Sequence, residues 1–233
     1  MGDNSSDLDY SGTDALSFNN TTIRDIAGND AELLLPQPGE IGSLSHSRTL
    51  IIDTVEPSTI YSLEHDFYNA ASWGEDGKIQ GYAVDSTSGV FDVEVRIQRN
   101  SDNNYYNGNG WLAMETWNHQ HVLGLSSEAT FIWEYYMHHT VLSNDVVYSI
   151  SVRSTDFAGN METTFAADSF HYDMEMPVST VNMDAGFYSE FTWSDSSTIS
   201  GSAMDSISGV TAVKILIFNE VDSSWWDGSL WIQ

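Results

Sequence analysis

The chain has 233 residues, and its acidic side chains outnumber the basic ones 34 to 7, for a formal charge of −27. That balance argues strongly against a phosphate-backbone partner, because nucleic-acid affinity comes from Lys and Arg neutralising phosphates, and it disfavours anionic membrane surfaces. Cysteine is absent, which removes zinc-thiolate sites and thiol nucleophiles, and no apolar run is long enough to insert into a bilayer.

Residues 1–56 open with Met1-Gly2-Asp3-Asn4-Ser5-Ser6-Asp7, which lacks the basic and apolar regions of a signal peptide. Within them stands an Asp-x-Ala-Gly-Asn turn, Asp25–Asn29, that returns at Asp156–Asn160. From Pro57 onward a longer repeat takes over. An offset of 120 lays Pro57–Ala113 onto Pro177–Gln233: Phe67-Tyr68 falls on Phe187-Tyr188, Trp73 on Trp193, and Gly81-x-Ala83-x-Asp85 on Gly201-x-Ala203-x-Asp205. Ser88-Gly89-Val90 falls on Ser208-Gly209-Val210. A fixed period of this size marks an array of folded units. It divides the chain into a truncated piece at 1–56, a complete unit at 57–176 and a second truncated unit at 177–233, so the chain reads as part of something longer.

Inside the complete unit, apolar residues alternate with period two, which is the strand signal. Strands are expected at Thr59–Leu63, Lys78–Val84, Val90–Arg99, Trp111–Thr116, Glu128–Met137, Val146–Ser154 and Thr163–Tyr172. Val213, Ile215 and Ile217 repeat the third of these, and no stretch shows sustained helical spacing. Asn107-Gly108 and Asp227-Gly228 suit type I′ turns, whose two central residues need positive φ. The fold class is all-β, with seven short strands per unit in two packed sheets. Tyr148, early in its strand, stands where a tyrosine corner would be, or is simply a buried aromatic. The joints Asp53–Pro57 and Asp173–Pro177 each end in proline, which stiffens them into a semi-rigid rod.

The motif string Asp25-Ile26-Ala27-Gly28-Asn29-Asp30-Ala31, continuing through Leu33-Leu34-Leu35-Pro36 to Ile51-Ile52-Asp53, resembles the second half of an Ig-like module of very large bacterial and archaeal surface or secreted proteins. The remainder, with Gly81-x-Ala83-x-Asp85 and Tyr148-x-Ile150-x-Val152-Arg153, is similar to a bacterial Ig-like or fibronectin type III-like domain in tandem array. The resemblance implies tandem Ig-like β-sandwich modules and an extracellular or cell-surface stalk or adhesive segment, without catalysis. Neighbouring modules, and a cell-surface protein or glycan, are the implied partners.

Two constellations carry possible chemistry. The topology brings the 85–89 and 156–160 loops to the pole of the incoming linker, where Asp53, Glu56, Asp85 and Asp156 would converge to hold calcium, which takes six to eight oxygen ligands. Asp173, Glu175 and Asp205 would repeat the arrangement at the next joint. The bland reading is that these aspartates only cap turns. Aromatics gather at one hairpin, Tyr105, Tyr106 and Trp111 in one copy and Trp225, Trp226 and Trp231 in the other. An exposed row would stack on sugars and point to a carbohydrate-binding accessory region of a secreted enzyme; a buried one would belong to the sandwich.

Catalysis finds no support: there is no Gly-x-Ser-x-Gly, phosphate loop or His-Glu-x-x-His. His119-Gln120-His121 and His138-His139 lack the third ligand of a zinc site. The sequons at Asn4, Asn19 and Asn20 would permit glycosylation in an exported protein.

Overall fold

The computed structural model describes residues 4–17, 19, 21–120, 122–123, 130–182 and 198–232, and strands dominate them. The stretch 58–172 holds two antiparallel-rich sheets. Its strands are β1 Ser58–Tyr61, β2 Phe67–Tyr68, β3 Asp76–Val84, β4 Val90–Arg99, β5 Asn104–Tyr106, β6 Trp111–Leu112, β7 Asn118–His119 and β8 Val122–Leu123. They continue with β9 Thr130–His138, β10 Val146–Asp156 and β11 Ala166–Tyr172. One sheet runs β1-β3-β9-β8; the other runs β2-β11-β10-β4-β5-β6, with β7 also paired to β4.

The two sheets face one another across a single core. From the first come Ile79, Ala83, Trp133, Tyr135 and Met137; from the second come Val93, Val95, Ile97, Tyr148, Ile150, Val152 and Tyr172. Alternate residues of a strand point to one face, so each run delivers every second side chain inward. Among the described residues, every buried apolar side chain lies between Tyr68 and Tyr172. The core therefore crosses neither Pro57 nor Pro177.

Tyr148 closes a loop onto its own strand: its Oη accepts from the Ser143 backbone N–H at 2.7 Å while the ring is fully buried. This is the hydrogen bond of a tyrosine corner. On the outer face, Arg96 and Arg153 both lie over the Trp117 ring, at 4.8 and 4.0 Å from its centroid, which ties β7 to the sheet.

Several expected bounds shift. Val90–Arg99 is observed as expected, but the strand expected at Trp111–Thr116 stops at Leu112, and that expected at Thr163–Tyr172 starts at Ala166. Residues 128–129 of the expected Glu128–Met137 strand lie outside the described residues, and the strand runs on to His138. Short elements escaped the pattern altogether: helix α1 Leu44–Ser47, helix α2 Ala70–Trp73, a 3-10 turn at His139–Val141, and β2, β5, β7 and β8. Helix α2 is set by Asn69, whose side chain caps Ala71 N and Ser72 N while Ser72 Oγ accepts from Asn69 N.

The turn at Asn107–Gly110 is also not the expected type I′. Only Gly108 has positive φ, at 89°, and it occupies the first central position. That is the sign pattern of type II′, with Asn107 outside the tight pair, capping it from its side chain.

The later stretch repeats the earlier pairings. Strands β12 Val178–Asn182 and β13 Ser200–Met204 pair Val178 with Met204 and Val181 with Gly201, as Ser58 pairs with Val84 and Tyr61 with Gly81. Strands β14 Phe218–Asn219, β15 Ser224–Trp226 and β16 Trp231–Ile232 reproduce the β4–β5–β6 register at the same offset. Glycine is required at one crossing: a Cβ on Gly81 would stand 2.2 Å from the Ile60 carbonyl, and one on Gly201 would stand 2.0 Å from that of Thr180. Val213 and Ile215, expected within a strand, lie outside any strand and are exposed. Their counterparts Val93 and Val95 are held by pairing with β10, and among the described residues nothing offers 213–217 such a neighbour.

Candidate metal centre

Three elements meet at one pole of the 58–172 unit: the linker before β1, the 85–89 loop after β3, and the 156–160 loop after β10. Each presents an aspartate. Asp53, Asp85 and Asp156 offer carboxylate oxygens that all lie within 4.8 Å of one another, and their relative exposures are 9, 4 and 1 %.

The local sequence explains how each is held. Asp85 Oδ1 accepts from the backbone N–H groups of Thr87, Ser88 and Gly89 at 3.1, 2.8 and 2.8 Å. The left-handed Gly89, at φ 80°, allows that tight loop. Asp156 receives Asn160 twice, from the backbone N–H at 2.8 Å and from the side-chain amide at 2.7 Å. The same Asn160 amide donates to the Asp53 carbonyl at 3.1 Å, fastening the linker to the loop. Asp53 itself accepts from Val55 N–H and Ser88 N–H, both at 3.1 Å.

All of these donors are neutral, and no ion pair among the described residues involves any of the three carboxylates. Burial pushes the Asp53 carboxyl up, but hydrogen bonds with Ser88 and Val55, and one with the neighbouring Asp156 carboxyl, outweigh it and leave that group below the ordinary aspartate value. Three neighbouring carboxylates thus share one pocket with no protein cation to offset them. Ligands of one calcium ion sit roughly 2.4 Å from it, so oxygens sharing such an ion lie up to about 5 Å apart. The triad has that spacing.

Glu56 stands elsewhere. Its carboxylate accepts from Thr163 N–H and Oγ1 at 2.8 and 3.0 Å, securing the chain before β1 to the approach to β11. A different glutamate, Glu162, is buried behind the pole, where it accepts from Thr59 N–H and Ser154 N–H at 3.1 Å each. Nothing in the sequence marked it, because a glutamate in an acidic chain is ordinarily solvated. Ser88 and Asn160 were also missed as parts of the site, although both belong to the repeated motifs.

The second joint repeats the linker and the loop that follows the second strand of the unit. Asp205 Oδ1 accepts from Ile207, Ser208 and Gly209 N–H at 3.2, 2.8 and 2.9 Å, matching Asp85, and these bonds hold its carboxyl below the usual range against the opposing effect of burial. Asp173 accepts from Ser208 Oγ at 2.5 Å and from Glu175 N–H at 2.8 Å. The exposed Glu175 accepts from Ser206 Oγ at 3.1 Å. Asp173 and Asp205 are here the counterparts of Asp53 and Asp85. The Asp25–Asn29 loop repeats the geometry of Asp156–Asn160, with Asn29 N–H and amide bonds to Asp25 at 2.9 and 2.7 Å, but Asp25 is exposed.

The aromatic hairpin divides by copy. Tyr106 is buried at 5 %, and Trp111 packs on Tyr106 and Tyr148 while donating Nε1–H to the Val141 carbonyl. Tyr105, half-buried, accepts from Gln98. In the later copy Trp225, Trp226 and Trp231 are 38, 37 and 45 % exposed. Trp226 and Trp231 occupy the positions that face the core in the earlier copy.

Among the described residues the histidines do not assemble. His119 pairs with Asp92 at 2.6 Å, His138 stacks on His139, and His121 lies outside the described residues. No described helix is long and apolar enough to cross a membrane. No family model matches the chain, and no curated protein matches it.

Proposed function

We propose that the chain is a segment of a tandem array of Ig-like β-sandwich modules, acting as a non-catalytic stalk or adhesive spacer of a large extracellular or cell-surface protein. In this reading a divalent cation, calcium by the chemistry of its all-oxygen ligands, is held by Asp53, Asp85 and Asp156 and stiffens the joint. One observation carries the proposal: a linker carboxylate and two loop carboxylates buried together, with only neutral hydrogen-bond donors around them. Burying several like charges without a counter-charge is costly, and a cation removes the cost.

Because one ligand comes from the linker and two from the body, binding fixes the angle at which the chain enters the unit. The inward packing of Tyr106 and Trp111 favours a spacer over a sugar-stacking platform, since Trp226 and Trp231 of the later copy match these two residues in register.

Calorimetric titration of the metal-free chain tests this directly. Calcium should bind with a dissociation constant at or below the millimolar range, and at 100 times that constant it should add about 2.7 kcal/mol to stability. Chelator should reverse the gain, and Asp85→Asn combined with Asp156→Asn should abolish both heat and gain. An absence of binding heat, with melting indifferent to calcium and chelator, overturns the cation site. Binding with no change in the solution dimensions of the chain, measured by small-angle scattering, overturns its role in stiffening the joint.

A further inference from the structure

The two copies of the aromatic hairpin differ at one informative position: Asn107 stands where the later copy has Asp227. The two side chains serve the same loop in the same way. Asn107 Oδ1 accepts from Asn109 and Gly110 N–H at 3.1 and 2.8 Å; Asp227 Oδ1 accepts from Ser229 and Leu230 N–H, both at 2.8 Å. The loop is thus already built to hold a carboxylate.

We propose that Asn107 is a self-promoted deamidation site, which water converts to the acid that the other copy carries. The Gly108 nitrogen gives its proton to solvent and attacks the Asn107 side-chain carbon. Charge develops on Oδ1, where two backbone N–H groups already point, as donors do in an oxyanion hole. The Cγ–Nδ2 bond breaks and ammonia leaves, giving a five-membered imide. Water then adds to one imide carbonyl and opens the ring to aspartyl or isoaspartyl. One water is consumed and one ammonia released, with no change of oxidation state.

Three features favour this residue. Gly108 has no Cβ to obstruct the approach, and its N–H makes no hydrogen bond among the described residues. The amide that must leave, Asn107 Nδ2, donates to nothing there either. The neighbouring Asn109-Gly110 is an internal control with the same dipeptide. Its nucleophile, Gly110 N, is tied to Asn107 Oδ1 at 2.8 Å, and among the described residues no donor meets Asn109 Oδ1. The folded loop therefore separates two sites that sequence makes equivalent.

The test is to hold the folded chain and a urea-unfolded sample at mildly alkaline pH. The peptide spanning both asparagines is then followed over time by mass spectrometry. Conversion at Asn107 relative to Asn109 should be several-fold higher in the folded sample than in the unfolded one. An Asn107→Asp variant should melt with the parent chain, as the Asp227 loop implies. Equal ratios in the two samples, faster conversion at Asn109, or suppression of both sites by folding would each overturn the proposal.

Discussion

Where both are described, the stretches 58–112 and 178–232 share the β1–β3 and β4–β5–β6 pairings in the same register, yet one is the wall of a core and the described residues of the other are mostly exposed. Ile97, Val95 and Val93 are inaccessible, whereas Val213 and Ile215 are about 60 % exposed. The contrast separates two things that usually arrive together. Register is written locally, in the glycine that lets β1 cross β3, in the left-handed residues Asn103 and Ser223, and in the turn glycines. Burial is supplied from a distance, by β9, β10 and β11, which give the first stretch its Trp133, Tyr148 and Phe170.

Substitutions should divide along that line. Trp133→Ala removes the largest fully buried side chain and should cost about 3–5 kcal/mol in urea denaturation. Gly81→Ala forces a Cβ into the Ile60 carbonyl, so it should lower the main thermal transition by several degrees; Gly201→Ala, with an equal clash, should leave that transition in place. If both glycine variants shift it alike, the later stretch shares the core after all. Tyr148→Phe leaves the ring but orphans the Ser143 N–H, for a loss of about 1–3 kcal/mol. Trp226→Ala, at an exposed position, should stay within about 0.5 kcal/mol of the parent.

The smallest effect expected is one of pH. Asp53 is held below its unfolded value, so its contribution to stability is present above about pH 4 and is lost as pH falls through the lower folded value. In chelator, Asp53→Asn should flatten the acid end of the stability curve. An unchanged acid limb would mean that the linker carboxylate is not held in solution as it is here.

What could be read in the chain follows from the range of the cause. Val90–Arg99 is legible because the alternation from Asp92 to Gln98 is a plain strand signal, and the Asp53–Asp85–Asp156 convergence follows from turn chemistry plus the order of strands. The two-residue strands β2, β7 and β8 have no periodicity to detect; they exist because β11, β4 and β9 offer a free edge. Glu56 could not be assigned from spacing, because its choice of Thr163 depends on where the chain returns 107 residues later. The hairpin aromatics posed the same difficulty: Tyr106 faces inward only because a second sheet is there to face.

One pairing sets how the unit would answer to tension. Strand β2, near the entry of the chain, lies parallel to β11, from which the chain leaves, with His171 N–H on the Asp66 carbonyl and Asp173 N–H on that of Tyr68, each at 2.8 Å. A pull on the two ends drags parallel neighbours past each other lengthwise, so both bonds are strained together and must fail together. Antiparallel neighbours pulled from the same ends would instead open one rung at a time. A short two-residue contact thus becomes a fastening that a stretched chain has to shear once β1 has been drawn off β3.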